Sequence, residues 1–156
     1  MVLKTRKHKI SFEVDEDDFD RVSKHTWACD SIGYVITTIN GEAVRLHRFI
    51  MGFPEGLSID HIDGNRLNNR KSNLRICTHA QNMCNQKFRE GGSSRYKGVA
   101  WHARGKKWVA QITVEYRNVY LGLFATEEEA AKAYNIAALK HHGEFARINE
   151  LEEINT

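Results

Sequence analysis

The chain is poor in cysteine. Its three thiols, Cys29, Cys77 and Cys84, are odd in number, and no pair has the C-x-x-C spacing. That speaks against a disulfide framework and against a structural zinc knuckle. Long apolar runs are absent as well, so no segment reads as a transmembrane helix. The opening residues, Met1-Val2-Leu3-Lys4-Thr5-Arg6-Lys7-His8, lack the apolar core of a secretory signal. No internal repeat or low-complexity tract stands out. These absences set the expectation of a protein of the reducing cytoplasm. Net charge is also small, at +3 over 156 residues. By itself that is weak evidence for a polyanionic partner.

What is present is more informative. The hydrophobic fraction of 41% and charged fraction of 28% fit a folded globular chain. Charge is unevenly placed. Carboxylates cluster at Glu13, Asp15, Glu16, Asp17, Asp18 and Asp20, and again at Glu127–Glu129. Between them runs a basic stretch that includes Arg45, Arg48, Arg66, Arg70, Lys71 and Arg75 and continues to Lys107. A basic middle with acidic ends can neutralise phosphates while the total charge stays low.

Strand-like segments are expected at Ile10–Val14, at Tyr34–Ile39 and, after the turn pair Asn40-Gly41, at Glu42–Phe49. Phe19, Val22 and Trp27 anchor one or two helical turns between the first two. Ile59–Ile62 and Leu74–Cys77 form a further pair, with Asp63-Gly64 as a turn signal. Thr78-His79-Ala80-Gln81 has capping-box form, so a helix should begin there and carry Asn82 early. Gly91–Ser94 reads as a linker between a region 1–90 and a region 95–150. In the latter, Tyr96–His102, Trp108–Val114 and Val119–Phe124 are strand-like. A helix follows, capped by Thr126 and Glu129, with small residues along one side and a stop at Gly143.

Asp60, His61, Asn73 and Asn82 form the most chemically suggestive set. A neutral imidazole near pH 7 can take a proton from water, and carboxylate and amide oxygens are hard ligands suited to Mg²⁺. Adjacent strand residues face opposite ways, so a strand end or a bulge would have to turn Asp60 or His61 for both to serve one site. The order Asp60-His61, Asn73, Asn82, preceded by Leu46-His47-Arg48, resembles the HNH endonucleases of the ββα-metal fold, in particular phage and intron-encoded members. The resemblance implies metal-dependent DNA cleavage, with Mn²⁺ able to replace Mg²⁺ and no small-molecule cofactor. It makes His61 the general base, Asp60 and Asn82 the metal ligands, and Asn73 the residue that holds the loop and positions His61. His47 either contacts the scissile phosphate or fills the interior of a hairpin, and the interior reading is favoured. His79, in the first helical turn, is read as non-catalytic. Cys77 and Cys84 are read as small buried residues.

Tyr96-Lys97-Gly98-Val99, Trp108–Ile112, Tyr120-Leu121-Gly122-Leu123-Phe124 and Glu128–Ala138 resemble the Apetala-type DNA-binding domain of plant ethylene-response factors, which also occurs in phage integrases and HNH nucleases. There a three-stranded sheet enters the major groove of double-stranded DNA. The DNA contacts expected here are Lys97, His102, Arg104, Lys106, Lys107, Thr113, Arg117, Asn118 and Tyr120. Ala100, His102 and Thr113 stand where the plant domains usually carry arginine, which weakens any inference to their site preference. The whole is expected to be an α+β protein of two modules, more readily monomeric than oligomeric: a homing-type or phage-encoded endonuclease, with a catalytically inactive DNA-binding regulator as the alternative.

Overall fold

The computed structural model describes residues 1–86 and 91–151. The chain divides into two compact units, Met1–Asn82 and Met83–Thr156.

In the first unit, β1 (Val2–Lys4) pairs antiparallel with β2 (Ser11–Glu13), and α1 (Glu16–Ser23) follows. A small antiparallel sheet comes next, made of β3 (Ala28–Cys29), β4 (Val35–Ile39) and β5 (Glu42–Arg45). Asn40 and Gly41 close its second hairpin with φ of 51° and 85°, between the paired Ile39 and Glu42. Two successive positive φ values define the turn that matches strand twist, and Asn-Gly adopts it with little strain.

The expected return strand Glu42–Phe49 is cut short. It ends at Arg45, and Leu46–Ile50 forms the one-turn helix α2. Leu46, His47 and Ile50 are buried. Spacings of three and four residues put Leu46 and Ile50 on one helical face, and no strand would bury that set together. β6 (Ser58–His61) and β7 (Leu74–Cys77) form the last hairpin, and α3 (His79–Cys84) leaves directly from β7. The expected capping box is present: Gln81 N–H donates to Thr78 Oγ1 at 3.2 Å, and Thr78 N–H donates to Gln81 Oε1 at 2.8 Å.

One apolar core joins these pieces. Phe12, Val14, Val22, Trp27, Val35, Leu46, Ile50, Ile59 and Leu74 form it. The acidic segment near the N-terminus acts as a tether for the basic loop. Glu13 pairs with Arg70, Asp18 pairs with Lys71 and Arg21, and the Asp15 carboxylate accepts from the Lys71 N–H.

In the second unit, β8 (Val99–His102), β9 (Lys107–Val114) and β10 (Arg117–Phe124) make an antiparallel sheet, with β9 central. The helix α4 (Glu127–His142) packs on one face through Ala130, Ala131, Tyr134, Ala137 and Ala138, as the small residues of its sequence suggested. The Thr126–Glu129 capping box is formed, and Gly143 ends the helix at φ 53°. A Cβ at Gly98 would stand 2.0 Å from the Tyr134 ring, so this glycine is what lets the helix approach the backbone. Ser93 and Ser94, read as linker, are bonded into this unit. Ser93 Oγ accepts from the Trp101 N–H, and Ser94 Oγ donates to Glu127 at 2.6 Å.

The β9–β10 turn is shorter than the four residues expected. Val114 pairs with Arg117, so Glu115 and Tyr116 alone make the turn, at φ 48° and 63°. Neither residue favours that region, at a cost on the order of 1 kcal/mol each. Replacing the pair with Asn-Gly should therefore raise stability by about 1–2 kcal/mol, seen as a thermal midpoint several degrees higher. A midpoint that stays the same or falls would show that the turn is not strained.

Candidate active site and nucleic-acid interface

The β6–β7 register settles where the key pair points. His61 lies opposite Leu74, and Asp60 lies opposite Arg75. Ile59, His61 and Leu74 thus share the core face, which explains why the imidazole is buried. Asp60 shares the other face with Arg75. No bulge interrupts the ladder, and His61 is its last strand residue. The register leaves Asp60 and His61 on opposite faces of the hairpin.

His61 is held by a loop residue outside the candidate set read from the sequence. Its Nε2 lies 3.2 Å from Asn69 Oδ1. Asn69 is almost fully buried, at 1% exposure. Its Nδ2 donates to the Arg66 carbonyl at 3.1 Å, which fixes the amide with the oxygen toward His61. An oxygen acceptor requires a protonated Nε2, so Nδ1 is the basic nitrogen of the ring. The backbone of Asn69 is anchored too: its N–H donates to Glu13 O, on β2, at 2.9 Å. The visible signal for this role was the Asn68-Asn69 pair, buried within a run of ordinary turn residues.

Burial pushes the His61 pKa below the usual imidazole value of 6.5, against the opposing pull of the Asn69 bond and of Asp63 and Asp60. The ring is therefore neutral at pH 7. His47 is pushed further, to about 3, by burial and then by His61, Arg45 and Arg48. It stays an uncharged ring packed edge-on to His61, 5.2 Å between centroids. His47 is buried on α2, not in a hairpin, against the rings of Tyr34 and His61.

Asn73 is bonded into the loop that follows β6. Its Oδ1 accepts from Asp63 N–H at 3.0 Å, and its Nδ2 donates to Asp63 Oδ1 at 2.9 Å and to Asn68 O at 2.8 Å. The Ile62 N–H also donates to the Asn73 carbonyl. Burial alone would raise the Asp63 pKa, but hydrogen bonds from Asn65, Asn68 and Asn73 outweigh it, and the carboxyl is held below its ordinary value. Asn73 thus shapes the loop that carries Asn69, and Asn69 meets the imidazole.

Asp60 is gripped by Arg75, whose Nε and Nη2 donate to Oδ2 at 2.9 and 2.7 Å. This pair was not foreseen. It holds a buried carboxylate in a fixed orientation. Asn82 sits on α3, half-buried, with its N–H on Thr78 O. Asp60 carries a carboxylate and Asn82 an amide oxygen, hard donors of the kind taken by a divalent cation that retains much of its hydration. Among the described residues no cluster of three His, Cys, Asp or Glu side chains could hold a metal. Cys77 is buried and Cys84 half-buried, and burial raises the pKa of both thiols. Neither reads as a thiolate ligand.

In the second unit, strand register sorts the expected DNA contacts. His102 lies opposite Lys107, Thr113 opposite Asn118, and Gln111 opposite Tyr120. All six lie on the face away from α4. Arg104 and Lys106 occupy the β8–β9 turn and are exposed. Two residues fall elsewhere. Arg117 pairs with Val114, which packs toward the helix, so it stands on the opposite face at the hairpin end. Lys97 is half-buried, and its ammonium donates to the carbonyls of Cys84 and Gln86 at 2.6 and 2.8 Å. Burial lowers its pKa. Its charge is turned onto backbone and not out to a phosphate.

A ββα hairpin-and-helix carrying Asp-His, Asn and Asn, followed by a three-stranded sheet backed by a helix, defines a nuclease with an attached DNA-binding module. Comparison with known proteins agrees. The HNH endonuclease family profile matches residues 47–84, and the AP2 domain profile matches residues 94–144. A protein of Acanthamoeba polyphaga mimivirus, described as the uncharacterized HNH endonuclease L560, is 37% identical over 149 residues, covering 89% of this chain and 74% of its own. Protein 3.8 of Escherichia phage T7 is 34% identical over 94 residues, covering 60% of this chain and 77% of its own. The Arabidopsis thaliana AP2-like ethylene-responsive transcription factor AIL7 is 50% identical over 54 residues, which are 33% of this chain and 11% of that factor. The chain belongs to the HNH endonuclease family and carries an AP2 DNA-binding domain. Among the described residues no helix is long and apolar enough to cross a membrane.

The Asn69 contact predicts the state of the His61 ring. Nitrogen NMR should show the neutral Nε2–H tautomer at pH 7, titrating with a midpoint below 6.5. In Asn69→Ala the tautomer preference should weaken. An Nδ1–H form in the unmodified chain, or a midpoint above 6.5, would contradict the assignment.

Proposed function

We propose that this chain hydrolyses phosphodiester bonds of double-stranded DNA, with His61 as the general base. The observation that carries the reading is the buried, neutral imidazole tied through Nε2 to Asn69. The remaining nitrogen, Nδ1, takes a proton from a water molecule. The water oxygen bonds to phosphorus, and the bond to the leaving oxygen breaks. Asn73 orders the loop. Asp60 and Asn82 hold the cation, of the Mg²⁺ type with Mn²⁺ able to replace it. When bound, that ion offsets negative charge on the phosphate and the leaving oxygen. Arg75 orients the Asp60 carboxylate for this role. Because Asp60 and His61 face opposite ways along the strand, the substrate meets both at the end of β6, where the ladder stops.

The outer face of the second sheet holds the duplex in this reading. Lys107, with Arg104 and Lys106 in the adjoining turn, supplies phosphate contacts. His102, Thr113, Asn118 and Tyr120 lie along the surface that would enter the major groove. Thr113 donates to Asn118 Oδ1 at 2.8 Å, so the Asn118 NH₂ is the group best presented to a base edge. The chain acts as a monomer in a host cytoplasm, in the manner of a phage-encoded or homing-type enzyme.

Supercoiled plasmid incubated with Mg²⁺ or Mn²⁺, with EDTA as control, tests the activity. Cutting should need the divalent ion. His61→Ala should reduce the rate by about a hundredfold to ten-thousandfold with DNA affinity nearly unchanged. Asp60→Ala should impair metal dependence more than Asn82→Ala, since it removes the carboxylate charge. Cutting that survives EDTA, or His61→Ala cutting within a few-fold of the parent, would sink the mechanism.

Division of labour gives a separate test. Removing Lys106 and Lys107 should flatten the salt dependence of duplex binding by up to roughly two units of slope, at about 0.9 per phosphate contact. An unchanged slope would take these lysines off the DNA.

A further inference from the structure

Beside His61 lies a group of charged and aromatic side chains that the hydrolytic mechanism leaves unused. The Tyr34 ring is 6.1 Å from the His61 ring and 5.1 Å from the His47 ring, centroid to centroid. Two guanidiniums, Arg45 and Arg66, each lie 4.6 Å from the centroid of this same Tyr34 ring. The ring is set firmly. Asp30 Oδ1 accepts from the Tyr34 N–H at 2.8 Å and from the Ile32 N–H at 3.1 Å, and Tyr34 O accepts from the Asp30 N–H. Both arginines are exposed, yet each has a fixed partner. Arg66 donates to the Ile32 carbonyl, and Arg45 stands 3.8 Å from Asp30 Oδ2.

Gathering two like charges around one ring is unfavourable unless something offsets it. Cation–π attraction returns about 0.5–1 kcal/mol per exposed pair. Asp30 contributes one carboxylate against two guanidiniums. Its distance of 3.8 Å from Arg45 is long for a charge-assisted bond. Each guanidinium has five N–H donors in a rigid fork, and the bonds named here use few of them. The result is a net-positive, pre-oriented pair of forks on an aromatic platform, next to the proposed base.

We propose that Tyr34, Arg45 and Arg66 form a phosphate clamp that seats the DNA backbone in the nuclease unit, gripping a phosphodiester next to the one that is cut. The clamp rests on the reading of His61 as the base that faces DNA. It gives the nuclease unit its own anchor on the duplex, separate from the second sheet. Tyr34 acts through its ring, which holds the two forks, and its hydroxyl plays no part. Arg48, which follows His47, does not belong to the clamp. It donates to the carbonyls of Leu57 and Pro54 and ties down a loop.

The test measures binding of the full chain to a duplex of defined length, in EDTA, across a salt series. Arg45→Ala and Arg66→Ala should each reduce the slope of log affinity against log salt by about 0.9, and the double variant by about twice that. Tyr34→Leu should weaken binding without removing a charge, and Tyr34→Phe should bind like the parent. The arginines are surface residues, so their variants keep the test decisive if Tyr34→Leu does not fold. Slopes unchanged from the parent, with affinities within about twofold, for both arginine variants would overturn the clamp. Cleavage in Mn²⁺, measured on the same preparations, separates the two ideas. Flattened slopes without cutting by the parent chain would leave the clamp standing and remove the hydrolytic reading. Cutting with unchanged slopes would do the reverse.

Discussion

The active-site region depends on a buried imidazole whose Nε2 is tied to Asn69. His61 lies on the core face of the β6–β7 hairpin because strand alternation puts it there with Ile59 and Leu74. Burial keeps the ring neutral, and a buried polar ring needs a partner. Asn69 supplies it, and much of the unit's odd architecture can be understood as serving that contact. β2 anchors the Asn69 backbone, Arg66 fixes its amide, and Asn73 shapes the loop. The acidic residues near the N-terminus tie down the basic segment that follows. Removing the Asn69 side chain would leave a polar ring nitrogen buried without an acceptor, at a cost of about 1–3 kcal/mol.

Opposite faces of one short hairpin carry different chemistry. The core face holds the neutral His61 ring, next to His47 and Tyr34. The other face holds a charged pair, Asp60 with Arg75. A strand two residues longer would bury the first face under more apolar surface and separate the pair from the solvent edge. β6 ends at His61, and the Asp63-Gly64 turn follows. The second unit solves a different problem. It buries small residues and Tyr134 on one face of its sheet and leaves His102, Lys107, Thr113, Asn118 and Tyr120 on the other, so polar recognition costs the core nothing.

Much of this was legible in the sequence because it rests on local rules. Asn40-Gly41, the Thr78–Gln81 and Thr126–Glu129 capping boxes, the alternation of Lys107–Val114 and the alanines of α4 each state their own conformation. The spacing of Asp60-His61, Asn73 and Asn82 marked the family. What escaped depends on tertiary contact. A strand and a one-turn helix compete over Leu46–Ile50, and only the shape of the core decides between them. Lys97 reads as a free cation until its ammonium is seen against the Cys84 and Gln86 carbonyls. Arg75 reads as one more base in a basic stretch, and strand register alone reveals Asp60 opposite it. Asn69 is indistinguishable in sequence from Asn65 or Asn68, because what sets it apart is burial against a ring eight residues earlier.

The central claim is that Asn69 controls the base by hydrogen bonding to its far nitrogen. Single-turnover cleavage against pH, for the parent chain and for Asn69→Asp at saturating DNA, tests it most directly. A base must be neutral to act, so the rate rises as pH passes the His61 pKa and then levels off. A carboxylate in place of the amide would favour the imidazolium and raise that pKa. The account predicts that the acid limb moves to higher pH in Asn69→Asp while the duplex remains bound. An acid limb in the same place in both proteins would contradict it.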